Sequence, residues 1–372
     1  TSGGVSTANL PAGSAGAIVS FSDYTRTFQT NNLTIAANGS EKIGGVAANF
    51  VAQTEGQSIT LVYVDGTEGW INTSESTGQS GLNPAFITAT GGTITTVCTN
   101  FKVHTFTGPG TFTVCSVGNP LGSTSVDYMV VAGAGAGGND NSGGGGGGGF
   151  RESSGTVSGG YTASPLGSCV SAITVTAQGY PIVVGAGGAT TPTASTRNPG
   201  SDSSALGKTS TGGGGGGSDS AEPGLPGGSG GGGNENGSSA GGTGNTPPVS
   251  PPQGNTGAAG SAPTNVGGAG GGATGAGSGG TGAVGATTNI NGSPTSFAGG
   301  GGAGSSPGPG PGAGAGSPCG TGKAGSSTPG CTSAGPRSAS SNTGGGGGGS
   351  GPSSSHGGAG GSGIVIIRYK FQ

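Results

Sequence analysis

Side chains able to do bond chemistry are scarce and scattered. The chain holds two histidines, and its acids and bases total 13 Asp plus Glu and 10 Lys plus Arg in 372 residues. General acid–base or nucleophilic catalysis needs such groups in hydrogen-bond reach of one another. His104 lies in an apolar stretch with no second candidate beside it, so a structural role is expected, and His356 is embedded in glycine and serine. A depolymerase would need a groove lined by carboxylates, and none is encoded. The glycine runs resemble phosphate-cradling loops, but such a loop needs a Lys-Ser/Thr and a following helix, and no helix is encoded. No Cys-x-x-Cys or Cys/His spacing suits zinc. The expectation is a protein that is not an enzyme and takes no cofactor and no metal. Of five cysteines, Cys98 and Cys115 flank residues 101–114, and Cys319 and Cys331 flank a Gly/Pro loop. Each pair is a candidate disulfide that leaves Cys169 over; the alternative is five unpaired thiols.

The elements that would have to position any site are unusual. Glycine accounts for 98 of the 372 residues, where about 7% is usual. With 28% hydrophobic and 6% charged residues, the chain lacks both the apolar surface of a large core and the charge of a typical disordered segment. Glycine does not recur at every third position, which excludes a collagen triple helix. A flexible Gly/Ser linker matches the composition, but runs at 143–149, 212–217, 230–233, 299–302 and 344–349 suit polyglycine-II rods better. Such a rod has three residues per turn and no internal hydrogen bonds, so it must be bundled. Without Cβ atoms, neighbouring backbones can approach until N–H meets C=O. Net charge is −3 with no basic stripe, so nucleic acid is not an expected partner. No apolar run reaches the roughly 18 residues of a membrane helix, and no membrane insertion is expected. The chain opens on Thr1 with no signal segment ahead of it, so a trimmed or partly ordered product is expected.

In chain order, β-branched and aromatic runs at 17–21, 33–35, 50–51 and 58–64 alternate with Asn-Gly, Gly-Gly and Asp-Gly turns, predicting a small β-module over residues 1–78. Trp70 is expected to anchor its core. Residues 79–95 read as a linker. Residues 101–107 and 110–114 predict a hairpin about Gly108-Pro109, with Phe101, Val103 and Thr105 on one face and Lys102, His104 and Phe106 on the other. Further strands are expected within 126–131, 173–184 and 363–371. Together they predict an all-β fold: a β-sandwich base, within a domain spanning 96–372, that carries an inserted bundle of polyglycine-II helices over 132–172 and 185–362.

Two stretches carry a resemblance. Phe21-Ser22-Asp23-Tyr24, Asn31-Asn32-Leu33-Thr34-Ile35 and Ser58-Ile59-Thr60-Leu61-Val62-Tyr63-Val64-Asp65-Gly66-Thr67-Glu68-Gly69-Trp70 resemble a structural β-module of tailed-bacteriophage tail fibres. The succession Val103-His104-Thr105-Phe106-Thr107, Gly110-Thr111-Phe112-Thr113-Val114, Tyr128-Met129-Val130-Val131-Ala132-Gly133, Val183-Val184-Gly185-Ala186-Gly187-Gly188 and Gly363-Ile364-Val365-Ile366-Ile367-Arg368-Tyr369 is similar to the glycine-rich domain of phage tail fibres and distal tail adhesins. The resemblance implies a polyglycine-II sandwich on the virion tail whose variable loop tips touch the host. Implied partners are a host surface receptor, glycan or outer-membrane protein, and other tail proteins, with a homotrimer expected. The chain departs from it at Pro307, Pro309 and Pro311, whose rings cannot sit among packed rods and belong at a tip or rim.

On that model the interruptions between runs are the working surface. Candidate receptor-binding residues are Phe150, Arg151, Tyr161, Glu222, Leu225, Asn234, Asn236, Ile290, Phe297, Lys323 and Arg337, whose aromatic, amide and charged groups suit contact with sugars or protein loops. The alternative is a structural glycine-rich extracellular fibre or matrix protein without receptor specificity.

Overall fold

The computed structural model describes residues 4–75, 84–191, 196–219, 221–305, 338–352 and 356–372. The fold is all-β: no α-helix occurs among the described residues, only two short 3-10 turns. No helix among them is long and apolar enough to cross a membrane. The chain divides into two units, residues 1–85 with 119–122 and residues 86–118 with 123–372.

The first unit contains two three-stranded sheets. One pairs β1 (Ser6–Asn9), β3 (Leu33–Ala36) and β4 (Phe50–Ala52); the other pairs β2 (Ile18–Ser22), β5 (Ser58–Tyr63) and β6 (Trp70–Glu75). Alternation turns Leu33, Ile35, Phe50, Ile59 and Leu61 into one core with Trp70. Trp70 is fully buried, donates its indole N–H to Glu41 at 3.1 Å and meets the Tyr63 ring edge-on at 5.5 Å, as its expected anchoring role requires. Asp23 closes a turn by accepting the N–H groups of Thr27, Phe28 and Gly56 at 2.9, 3.0 and 3.0 Å. Burial opposes its ionisation, but those three donors prevail and hold the carboxyl below its usual range.

The second unit begins earlier than the sequence suggested. Residues 88–90 and 93–95, expected in a linker, belong to strands β7 (Thr88–Thr90) and β8 (Thr93–Val97). Gly91 and Gly92, at φ +108° and +63°, turn the chain between them, a conformation that glycine adopts without strain. The remaining strands are β9 (Phe101–Phe106), β10 (Gly110–Ser116), β11 (Ser125–Val131), β12 (Phe150–Glu152), β13 (Ile173–Thr174), β14 (Gly179–Ile182), β15 (Ser203–Ala205), β16 (Lys208–Ser210), β17 (Ala286–Thr288), β18 (Thr295–Phe297) and β19 (Ile364–Lys370).

One sheet runs β12-β11-β19-β9-β8 with β13 added to β11; another runs β14-β10-β7. The expected hairpin of 101–107 with 110–114 is therefore corrected. β9 pairs with β19 and β8, whereas β10 pairs with β14 and β7, so residues 107–109 carry the chain from one sheet to the other. The physical reason is burial. Phe106 of β9 and Phe112 and Val114 of β10 enter the same core with Tyr128, Val130, Ile182, Val365, Ile367 and Tyr369, which two facing sheets can enclose and a hairpin cannot. The opposite face of the larger sheet is covered too, by Val103, Met129, Val131, Ile364 and Ile366 packed against Phe150, Tyr161, Ile290 and Phe297. Hence β11 and β19 are apolar on both faces rather than alternating.

His104 lies on the sandwich face, fully buried. Its Nδ1 sits 2.7 Å from the Gly91 carbonyl and its Nε2 3.1 Å from the Tyr369 hydroxyl. A carbonyl can only accept, so Nδ1 carries the proton and Nε2 accepts from the phenol. Burial pushes the imidazole pKa down, and burial also pushes the Tyr369 phenol up, to about 12. The expected structural histidine is found.

The glycine runs form the bundle. In residues 143–149, successive N–H groups donate to Gly217, Gly268, Gly347, Gly214, Gly271, Gly344 and Thr211 at 2.8–3.0 Å. Every third residue returns to the same neighbour: 217, 214 and 211 belong to one rod, 268 and 271 to a second, 347 and 344 to a third. That is the signature of three residues per turn. Carbonyls of the same run accept from Ala132, Gly135 and Gly138, from Ser229 and Gly232, and from Gly301, so the rod is enclosed by six others. None of residues 143–149 takes a positive φ, although glycine is free to do so; the run keeps the left-handed polyproline-type helix. Residues 132–138 are enclosed in the same way, by rods at 143–149, 198–201, 212–217, 185–188, 344–350 and 358–361.

Candidate functional site

Rod direction decides which residues face outward. The chain leaves β11 at Val131, runs out along 132–138, turns at 139–142 and returns along 143–149 to β12. Later runs repeat this excursion. One end of the bundle is thus anchored on the sheets, and the other is a set of short turns about 22 Å away for a seven-residue rod.

The far turns are braced by side chains that satisfy rod-end backbone groups. Asn234 is fully buried; its Nδ2 donates to the carbonyls of Asp140 at 2.8 Å and Asn141 at 3.3 Å, and its Oδ1 accepts the Asn236 N–H at 2.8 Å. Asp140 and Asn141 have φ of 61° and 44°, the left-handed region that Asp and Asn tolerate best among side-chain-bearing residues. Ser218 accepts the Asn139 N–H at 3.1 Å and donates to the Thr196 carbonyl at 2.8 Å. Arg197 pairs with Glu222 at 3.2 Å and donates to the Pro223 carbonyl at 3.0 Å. Ser238 accepts the Ala262 N–H at 3.3 Å, linking the turn at 234–239 to the one at 261–266. What these turns offer solvent is Asn236, Gly237, Ser238, Ala262, Pro263, Thr264 and Asn265, all exposed. Asp140, Asp219, Glu222 and Glu235 outweigh Arg197 in charge here, and burial pushes the Glu235 carboxyl up.

The candidate residues split accordingly. Glu222 and Asn236 lie at the far turns, and Asn234 is there as a buried brace. Leu225 lies within a rod, bonded to Gly215 and Gly231, and half-buried. Phe150, Tyr161, Ile290 and Phe297 are corrected from tip to core: all four are buried against the sheet. Arg151 stands beside them in β12, half-buried, with Nη1 3.5 Å from the Thr209 carbonyl. These residues follow return rods or occupy the β17–β18 hairpin, so they sit at the anchored end. Lys323, Arg337, Cys319, Cys331 and the proline stretch at 307–311 lie outside the described residues. Cys98 and Cys115 are exposed and unbridged, as is Cys169. Their pairing presupposed the hairpin, whereas Cys98 follows β8 in one sheet and Cys115 lies in β10 of the other.

A model of a glycine-rich domain matches residues 107–370, well over half of the chain. The chain belongs to this glycine-rich domain family. Its span begins after β9 and takes in β10 to β19 and every described rod, so the membership covers the rods and their turns together with most of the strands that anchor them. Among curated proteins, none matches the chain.

A polar group at the anchored end was missed from sequence. Asp127 is fully buried and accepts from Ser153 Oγ at 2.7 Å, Gly155 N at 3.1 Å, and Ser158 N and Oγ at 3.0 and 2.6 Å. Glu152, also buried, accepts from Ser164 N at 2.9 Å and from the Thr288 hydroxyl, and burial pushes its carboxyl up. Arg368 stands opposite Asp127 in register. The available signal was a charge inside each apolar strand, Val126-Asp127-Tyr128 and Ile367-Arg368-Tyr369, which a strand buried on both faces admits only with partners.

Proposed function

We propose that the chain is a virion tail-fibre adhesin whose far turns meet a host-surface receptor, a glycan or an outer-membrane protein, while the first unit joins it to other tail proteins. The observation that supports this is the enclosure of residues 143–149 by six backbone rods. Such a bundle is a stiff post whose interior excludes side chains and whose turns accept varied ones, the usual division between scaffold and binding loop. Glu222 and Asn236, with the exposed residues of 261–266, are the contact residues in this reading. The protein acts on the virion outside the cell, as a homotrimer, without catalysis, cofactor, nucleic acid or membrane insertion. A matrix fibre would share the post but would be indifferent to turn identity.

Purified full chain should block adsorption of the virion that carries it to susceptible cells. A variant whose turns at 236–238 and 262–265 are replaced by Gly/Ser of equal length should lose at least about tenfold in blocking, a loss of about 1.4 kcal/mol. Equal blocking by wild type and variant would overturn the role of these turns.

A further inference from the structure

We propose that a cleft beside Arg368, at the anchored end of the rods, binds a small carboxylate. The site is remote from the far turns and does not depend on their function. Arg368 is 3% exposed and its guanidinium lies between two rings, 4.8 Å from the centre of Phe101 and 5.1 Å from that of Tyr161. Nη1 donates to the carbonyls of Asn289 and Ile290 at 3.4 and 3.3 Å. Nε is buried without a hydrogen-bond partner. A buried cation is ordinarily paired with a carboxylate. Asp127 is the residue opposite in register, yet its two oxygens are occupied by Ser153, Gly155 and Ser158, and those of Glu152 by Thr288 and Ser164. The guanidinium is left with neutral carbonyls.

Arg368 lines a cleft of about 220 Å³ together with Cys98, Phe101, Tyr161, Thr162 and Asn289. The Asn289 side-chain amide, half-buried, has no hydrogen-bond partner among the described residues and can donate to the same ligand. A planar fork with free donors fits a carboxylate. The volume falls below the roughly 300 Å³ at which drug-sized sites begin, which restricts the ligand to a simple carboxylate or one acidic sugar.

Cys98 is exposed at the mouth and reports on occupancy. Full chain is alkylated with iodoacetamide in the presence of acetate, glucuronate, glucose or inorganic phosphate, and the rate at each cysteine is read by peptide mass spectrometry. Both carboxylates should slow Cys98 by about fivefold or more at saturation and leave Cys115 and Cys169 unchanged; glucose should have no effect. Tighter action by glucuronate would identify an acidic sugar as the source, and equal action a simple carboxylate. Thr162 is exposed and contributes its carbonyl, not its side chain, to the fold through Asn289 N–H. Thr162→Trp should therefore fill the mouth, keep the melting temperature and abolish protection, as should R368Q if it folds. Protection by neither carboxylate, protection by phosphate in their place, equal protection by glucose, or protection that persists in Thr162→Trp would overturn the assignment.

Discussion

At the scale of one residue, a methyl group is the most direct probe of the rods. A Cβ on Gly145 would stand 2.0 Å from the Gly135 carbonyl oxygen, a backbone atom that cannot swing aside, whereas one on Gly108 meets nothing within 4 Å. Gly145→Ala should cost about 3 kcal/mol or more, at or above the upper end for overpacking, and Gly108→Ala should stay within about 0.5 kcal/mol of wild type. Urea unfolding measures both. His104 gives a second prediction at this scale. Burial lowers its folded pKa below the ordinary 6.5, so above about pH 6.5 the ring is neutral in both states and its contribution is complete. As pH falls through 6.5 toward the lowered folded value, the unfolded chain takes up the proton first and stability declines. Unfolding free energies of wild type and His104→Gln should therefore converge on acidification from pH 8 to 5; a constant difference would contradict the assignment. Glu152 acts with the opposite sign. Its raised pKa makes its contribution complete below about 4.5 and lost as pH rises through the folded value.

At the scale of elements, β11 joins the rods to the sandwich. Asp127 holds the segment that follows β12 by accepting hydrogen bonds from Ser153, Gly155 and Ser158. Asp127→Ala leaves buried donors unmatched and should destabilise the second unit by about 2–4 kcal/mol, read as a lower melting temperature, with Trp70 fluorescence reporting separately on the first unit. The longest strands of the second unit were legible in sequence, whereas β7, β8, β12 and the short strands among the rods were not. Apolar runs at 126–131 and 364–371 and the alternation of 101–106 placed β9, β11 and β19, and Val103 and His104 fall on the opposite faces that the period of two assigns them. The sheet assignment of β9 and β10 was not legible, because two strands about a Gly-Pro turn look alike whether they pair or cross between sheets, and only the shared core of Phe106 and Phe112 decides. Phe150, Tyr161, Ile290 and Phe297 were misplaced for a related reason. A large side chain after a glycine run reads as a tip, but rods come in outward and return pairs, and counting that parity puts Phe150 back on the sheet. The role of Asn234 as a brace depends on rods far apart in sequence, which no local pattern encodes.

At the scale of the whole second unit, a small hydrophobic sandwich and a much larger glycine bundle are joined through β11, β12 and β19. The sandwich draws its cohesion from apolar burial; the bundle draws it from main-chain hydrogen bonds and close backbone contact, with each enclosed rod satisfied by its six neighbours. Stiffness of the post is what fits it to present turns at a distance. Backbone amide exchange tests that claim most directly, because protection of an amide requires a partner that opens rarely. Amides of residues 132–138 and 143–149 should exchange as slowly as those of β11 and β19, through global unfolding alone, with the turns at 236–238 and 262–265 much faster. Exchange of residues 143–149 at the rate of an unprotected glycine peptide would contradict the account.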